Sequence, residues 1–243
     1  MPRTIASSAS HCLGALCSNV ATAAFLLLAS SAAHGQHYEI LMGKGVEVCD
    51  AYTSSLNSFK PHDPMLCDRS VSPRLTDLKK PKWQRLDVDK NLELIVSIDK
   101  LLRPDDPRLQ PELRVQSLRG AVELGGVKYQ MTTVDIDNDG KTEPVLRFTA
   151  CEEGNPRVGG SALVVLQENK KEVDLGKSRL IANDVTRLVP DALTNIAIAM
   201  RDVFLHKEKT YLDIWYFNFA ELHVLLTENA DTRAVCKLAF KAK

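Results

Sequence analysis

The sequence carries no surplus of charge, because 31 basic residues balance 31 acidic ones. Without a long basic run it lacks the electrostatic footprint of a nucleic-acid-binding protein. It also lacks the polybasic patch that would hold it to anionic lipid. No apolar run reaches the roughly 20 residues of a membrane-spanning helix. There is no C-x-x-C, so neither a zinc knuckle nor a thioredoxin-type redox site is supported. There is no H-E-x-x-H pair for a zinc hydrolase and no G-x-S-x-G elbow for a serine hydrolase. No repeat of solenoid or propeller period occurs.

What is present begins with an export signal. Arg3 is followed by the apolar stretch Val20 to Ala29 and then by small residues, SSAAHGQ. Ala33 and Gly35 satisfy a small-x-small cleavage rule, which places the cut before Gln36. Residues 1–35 are therefore expected to be removed and the remainder to work in the periplasm or the medium. Cleavage takes away one basic residue and no acid, so the mature charge is 30 minus 31, or −1. Four cysteines remain: Cys49, Cys67, Cys151 and Cys236. In an oxidising compartment an even number suggests two disulfides. Of the three possible connectivities, Cys49–Cys67 and Cys151–Cys236 keep each pair within one region and are the expectation.

Residues 36–120 look helical and loop-rich. Val46, Cys49, Thr53 and Leu56 fall on one helical stripe with Tyr52 beside it, and Pro61 and Pro64 end that element. A proline-punctuated stretch around Cys67 follows, with Trp83 and Leu86 as its anchors to the core. Asp87 or Asp89 can cap a second helix that buries Leu92, Ile95, Ile98, Leu101 and Leu102. Residues Pro111 to Arg119 predict a short third helix closed by Gly120. From Ala121 to Lys243 short apolar or alternating runs alternate with polar turns such as DNDGKTE, HKEK and ENADT, which argues an antiparallel sheet. Between the strands, Asp191 to Met200 leans to helix. The expected fold is α+β in one unit, with helices and proline-rich loops first and a mainly antiparallel β-sheet after them.

One motif carries chemistry. In Asp135-Ile136-Asp137-Asn138-Asp139-Gly140-Lys141-Thr142-Glu143 three aspartates alternate, so their carboxylates converge when the backbone curls. A hard divalent cation relieves the resulting repulsion, and calcium accepts six to eight oxygens. Gly140 permits the sharp turn, the Lys141 carbonyl can supply the seventh-position oxygen, and Glu143 holds the ninth position. The flanks, VKYQMTTV and PVLRF, are strands. The twelfth position is Leu146, where an EF-hand has glutamate. Asp135, Asp137, Asp139, Gly140 and Glu143 match D-x-D-x-D-G-x-x-D/E, and the stretch resembles the calcium loop of FG-GAP and VCBS-type repeats. That resemblance implies calcium held between two strands; a single copy does not make a propeller. With Val48-Cys49-Asp50-Ala51-Tyr52 as a V-C-x-A-Y segment, the whole chain also resembles secreted proteins of Gram-negative bacteria.

Other candidates are weaker. Glu221 and His223 share a strand face but fit a solvated polar pair. Ser161 after Gly159-Gly160 fits a loop end. Tyr211, Trp215, Tyr216, Phe217 and Phe219 fit core packing, with an exposed part available to a glycan or protein partner. Two functions remain: an exported non-catalytic binding or envelope-associated protein with a structural calcium loop, or a secreted metal-dependent hydrolase using the same carboxylates. They differ in one observable. The aspartates either close on one small ion site or line a substrate-sized cleft.

Overall fold

The structure, a computed structural model, describes residues 37–58, 78–102, 111–152, 155–186, 199–216 and 221–241. Four consecutive antiparallel strands and two edge strands build the larger sheet. β7 (Ala199–His206), β8 (Lys209–Tyr216), β9 (Glu221–Glu228) and β10 (Asp231–Lys241) pair antiparallel in chain order. Asn229 and Ala230 turn β9 into β10 with φ of 54° and 57°. Two left-handed residues match the twist of a tight hairpin, and asparagine tolerates that conformation well. β1 (His37–Met42) and β2 (Leu78–Lys79) close the two edges, giving the order β1-β10-β9-β8-β7-β2. A four-stranded sheet, β3-β4-β5-β6, is made of Gln84–Arg85, Val127–Val134, Glu143–Glu152 and Asn155–Val165.

Period-two alternation distributes the apolar side chains over both faces of each sheet. On β8, Leu212 and Ile214 join Val145, Leu163, Val165 and Val203 in a core between the two sheets. Tyr211 and Trp215 point the other way, into a second core with Tyr38, Tyr52 and Phe204 that helix α1 (Glu47–Ser58) covers. On β5, Leu146 points away from the central core. It packs with Ile95 and Ile98 of α2 (Leu92–Leu102) and Leu118 of α3 (Pro111–Glu123). The layers thus run helix pair, four-stranded sheet, six-stranded sheet, helix. The α+β expectation is met, with the mainly antiparallel sheet split in two.

Several local expectations change. α3 does not stop at Gly120, where a Cβ would meet nothing, but continues to Glu123 and ends near Gly125 at φ +76°. Val46 lies before α1 and is exposed, and Val48 takes the buried place on the stripe. Ala199 and Met200 belong to β7, so that end of the Asp191 to Met200 run is strand, and residues 191–198 lie outside the described residues. Helix α4 (Leu175–Thr186), capped by Asp174 accepting from the Lys177 amide at 2.9 Å, has no counterpart in the periodicity reading.

The N-terminal region is not all helix and loop, because His37–Met42 pairs antiparallel with β10. Its outer edge is closed by Asn57, which accepts from the Tyr38 amide at 2.7 Å and donates to the Tyr38 carbonyl at 3.0 Å. A side-chain amide here imitates a neighbouring strand and blocks further pairing at that residue. Seating β1 on β10 brings α1 against the last strand, and Cys49 bonds to Cys236 with a Cα separation of 5.6 Å. Both expected pairings, Cys49–Cys67 and Cys151–Cys236, are therefore replaced. Sequence proximity was the wrong guide, since sheet order decides which cysteines meet. Cys67 lies outside the described residues, and Cys151 is in β5, paired by backbone with Gly159. Gly43 is required beside the disulfide: at φ +90°, a Cβ there would fall 2.3 Å from the Val235 carbonyl oxygen and 2.7 Å from the Cys49 sulfur.

Candidate functional site

The acidic motif joins β4 to β5 as a strand–loop–strand unit. Its carboxylates first fold their own backbone. Asp135 accepts the Asp139 amide at 3.0 Å and the Gly140 amide at 2.9 Å, one on each oxygen. Asp139 accepts the Lys141 amide at 2.8 Å, and that hydrogen bond is the main reason its pKa lies below the usual carboxylate value. Glu143, buried at the start of β5, accepts the Ile136 amide at 3.1 Å. Gly140 sits at φ +89°, a region that costs any L side chain energy, so the sixth position does the turning that the motif assigned to it.

Oxygens of three of these residues also gather around one point. Asp135, Asp137 and Glu143 each offer an oxygen, all within 4.8 Å of one another. Oxygens bound to calcium at about 2.3–2.6 Å lie at most about 5 Å apart, so this spread fits one such ion. The cluster can hold a metal ion. In the structure it holds a side chain that no local pattern suggests: Lys177, from the first turn of α4. Its ammonium lies 2.7 Å from Glu143 Oε1, 2.8 Å from Asp137 Oδ2 and 3.5 Å from Asp139 Oδ2. Partial burial by itself would lower the lysine pKa. The hydrogen bonds to Asp137 and Glu143 outweigh that and raise it well above its ordinary 10.5. Four carboxylates against one ammonium still leave three negative charges uncompensated, with Lys141 exposed at the rim. The second oxygen of Asp137 is buried without a hydrogen-bond partner, which is costly for a carboxylate.

Asn138 ties this unit to the other sheet. At φ +56° its side-chain amide donates to the carbonyls of Thr210 (3.0 Å) and Thr227 (2.9 Å), and its oxygen accepts the Thr210 amide at 2.8 Å. Three hydrogen bonds thus rivet the loop to β8 and β9. Asn138→Ala should leave those backbone groups without their partner and cost about 2–4 kcal/mol. Urea unfolding checks this, and a loss below about 0.5 kcal/mol would refute the rivet.

A cleft of about 560 Å³ runs beside the loop, lined by Lys82, Thr132, Thr133, Thr142, Lys170 and Thr210 among others. Of the motif's acids only Asp135 borders it; Asp137, Asp139 and Glu143 do not. Elsewhere, His223 Nε2 lies 3.5 Å from Glu221 Oε2 on β9, and no third metal-ligating group gathers there among the described residues. Ser161 is not a loop end. It is buried in β6 and holds β7, its hydroxyl bonding the amide and carbonyl of Arg201 at 2.6 and 2.7 Å. Tyr211 and Trp215 pack inside the core, whereas Phe217 and Phe219 lie outside the described residues.

Among the described residues, fold and site define a helix-covered pair of antiparallel sheets with an acidic loop whose carboxylates could hold a metal ion. Comparison of the chain with protein-family models, curated proteins and solved structures finds no match. Among the described residues no helix is long and apolar enough to cross a membrane.

Proposed function

We propose that this is an exported, non-catalytic binding or envelope-associated protein whose acidic loop is a structural cation site for calcium. The observation that carries the reading is the direction of the carboxylates. Asp137 and Glu143 close on one small cation position, instead of lining the neighbouring cleft as a hydrolase would need. The donors are all oxygen, which suits a hard ion, and calcium tolerates the irregular geometry that magnesium resists. The likeness of Asp135 to Glu143 to FG-GAP and VCBS calcium loops points the same way, with the Lys141 carbonyl as a further ligand. Export is supported by the Cys49–Cys236 disulfide, since such bonds persist outside the reducing cytoplasm. The partner is a protein or a glycan, and the cleft beside the loop, where Thr132, Thr142, Lys82 and Lys170 stand next to Met131, Val134 and Leu205, is a mixed polar and apolar surface available to it.

Thermal unfolding of the oxidised mature chain tests the site. Saturating calcium should add about 1–2 kcal/mol, or about 2–8 °C, and equal magnesium less. Asp137→Ala should abolish the calcium shift and leave the fold in place. An unchanged melting temperature at about 10 mM calcium removes calcium from the proposal.

A further inference from the structure

We infer that Lys177 is a tethered competitor for the divalent cation of the Asp135–Glu143 loop, so that calcium enters by displacing its ammonium while α4 stays in place. The inference rests on the calcium reading above and concerns the regulation of that same site. Asp137 and Glu143, two of the three residues whose oxygens gather for an ion, contact the ammonium at 2.8 and 2.7 Å, and Asp139 lies 3.5 Å from it, so lysine and metal would compete for the Asp137 and Glu143 carboxylates. A divalent ion and an ammonium held by the same two carboxylates would sit a few ångströms apart and repel, which favours one cation at a time.

What makes exchange feasible is that, among the described residues, α4 is held by contacts other than those of the ammonium. The first turn of α4 is anchored independently. Asp174 caps it through the Lys177 amide at 2.9 Å, and the Asp174 amide donates to the Val165 carbonyl at 2.9 Å. Ser178 bonds the Val165 amide at 2.9 Å and its carbonyl at 3.2 Å. Ile181 is buried in the central core. The lysine stem can therefore swing out to solvent without unfolding the helix. On the loop side, the Asp135 and Asn138 hydrogen bonds keep the backbone curled whichever cation is present. Two consequences follow. The loop is already formed before calcium arrives, because an internal cation offsets part of the carboxylate repulsion. Its calcium affinity is weakened by a competitor at high effective concentration, so occupancy follows the calcium level of the surroundings instead of staying saturated.

The test is calorimetric titration of calcium chloride into the oxidised mature protein and its Lys177→Gln variant. The variant should bind calcium at least about tenfold more tightly, since ligand charge tunes such sites. Without calcium it should melt below the wild type. Equal affinities in the two proteins overturn the inference and leave the calcium site standing. Binding by the variant alone supports the competitor and removes calcium as the wild type's ligand. Binding by neither overturns both. Should Lys177→Gln fail to fold without calcium, Lys177→Met preserves the packed stem and gives the same comparison. In the wild type, the Lys177 ammonium resonance, sheltered by its carboxylates, should broaden into solvent exchange as calcium is added. Its persistence at calcium saturation would also sink displacement.

Discussion

Replacing Cys49 and Cys236 together by serine is expected to destabilise the protein by about 4–5 kcal/mol, because the bond closes a very long loop. The two cysteines are 187 residues apart in sequence. On the chain-entropy account, a crosslink over that length restricts the unfolded chain about as strongly as a single disulfide can. In a domain of about 200 residues the loss corresponds to a fall in melting temperature of about 8–20 °C. Differential scanning calorimetry of the double variant measures it, and a fall of less than about 3 °C would show that the bond contributes little. Non-reducing peptide mapping gives an independent check: the Cys49 peptide should be recovered joined to the Cys236 peptide. The contact is also placed where loss has structural consequences, since Cys49 and Cys236 are both fully buried in the core beneath α1.

Asp202→Ala is expected to cost about 3–5 kcal/mol, the range for removing one partner of a buried ion pair. Asp202 sits on β7 with its side chain 7% exposed, and it bridges the two sheets. Arg147 of β5 donates to one oxygen at 2.6 Å, and Lys80 to the other at 2.8 Å. The Arg147 guanidinium is further fixed 4.2 Å over the Trp83 ring and by a 2.7 Å bond to Gln130. Removing the carboxylate takes a counter-charge from two cations, one of them held by that stack. Adding Arg147→Met should recover part of the loss, because the guanidinium no longer needs a counter-charge. Urea unfolding of the two single variants and the double one gives the coupling. A coupling energy near zero would mean that the bridge does not act as a unit.

The strand half of the chain was legible because its signals are local. Alternation in Thr210 to Tyr216 needs only neighbouring residues to declare two faces, and the structure puts Leu212 and Ile214 on one side and Tyr211 and Trp215 on the other. The β4–β5 turn was legible for the same reason, since the Asp135 hydrogen bonds and the Gly140 conformation are set within a few residues. β1 was missed because His37–Met42 buries little besides Tyr38 and its pairing partner lies near the other end of the chain. α4 was missed because its sequence is polar and only weakly amphipathic, although Asp174 was available as a cap signal.

The amino-acid sequence by itself determined the strand–turn–strand grammar, the α2 helix and the place of the acidic loop. Each of these follows from side-chain period or turn chemistry over fewer than about a dozen residues. The oxygens that gather in the loop are those of Asp135, Asp137 and Glu143, with Asp139, expected to converge with the other two aspartates, outside the group. Only the tertiary structure decided that Cys49 meets Cys236, that Asn138 bonds Thr210 and Thr227, and that Lys177 supplies the cation in the acidic loop. Those contacts depend on the order of strands in two sheets and on how the sheets stack. The free energy of that choice is spread over three apolar cores, so no short stretch of residues encodes it.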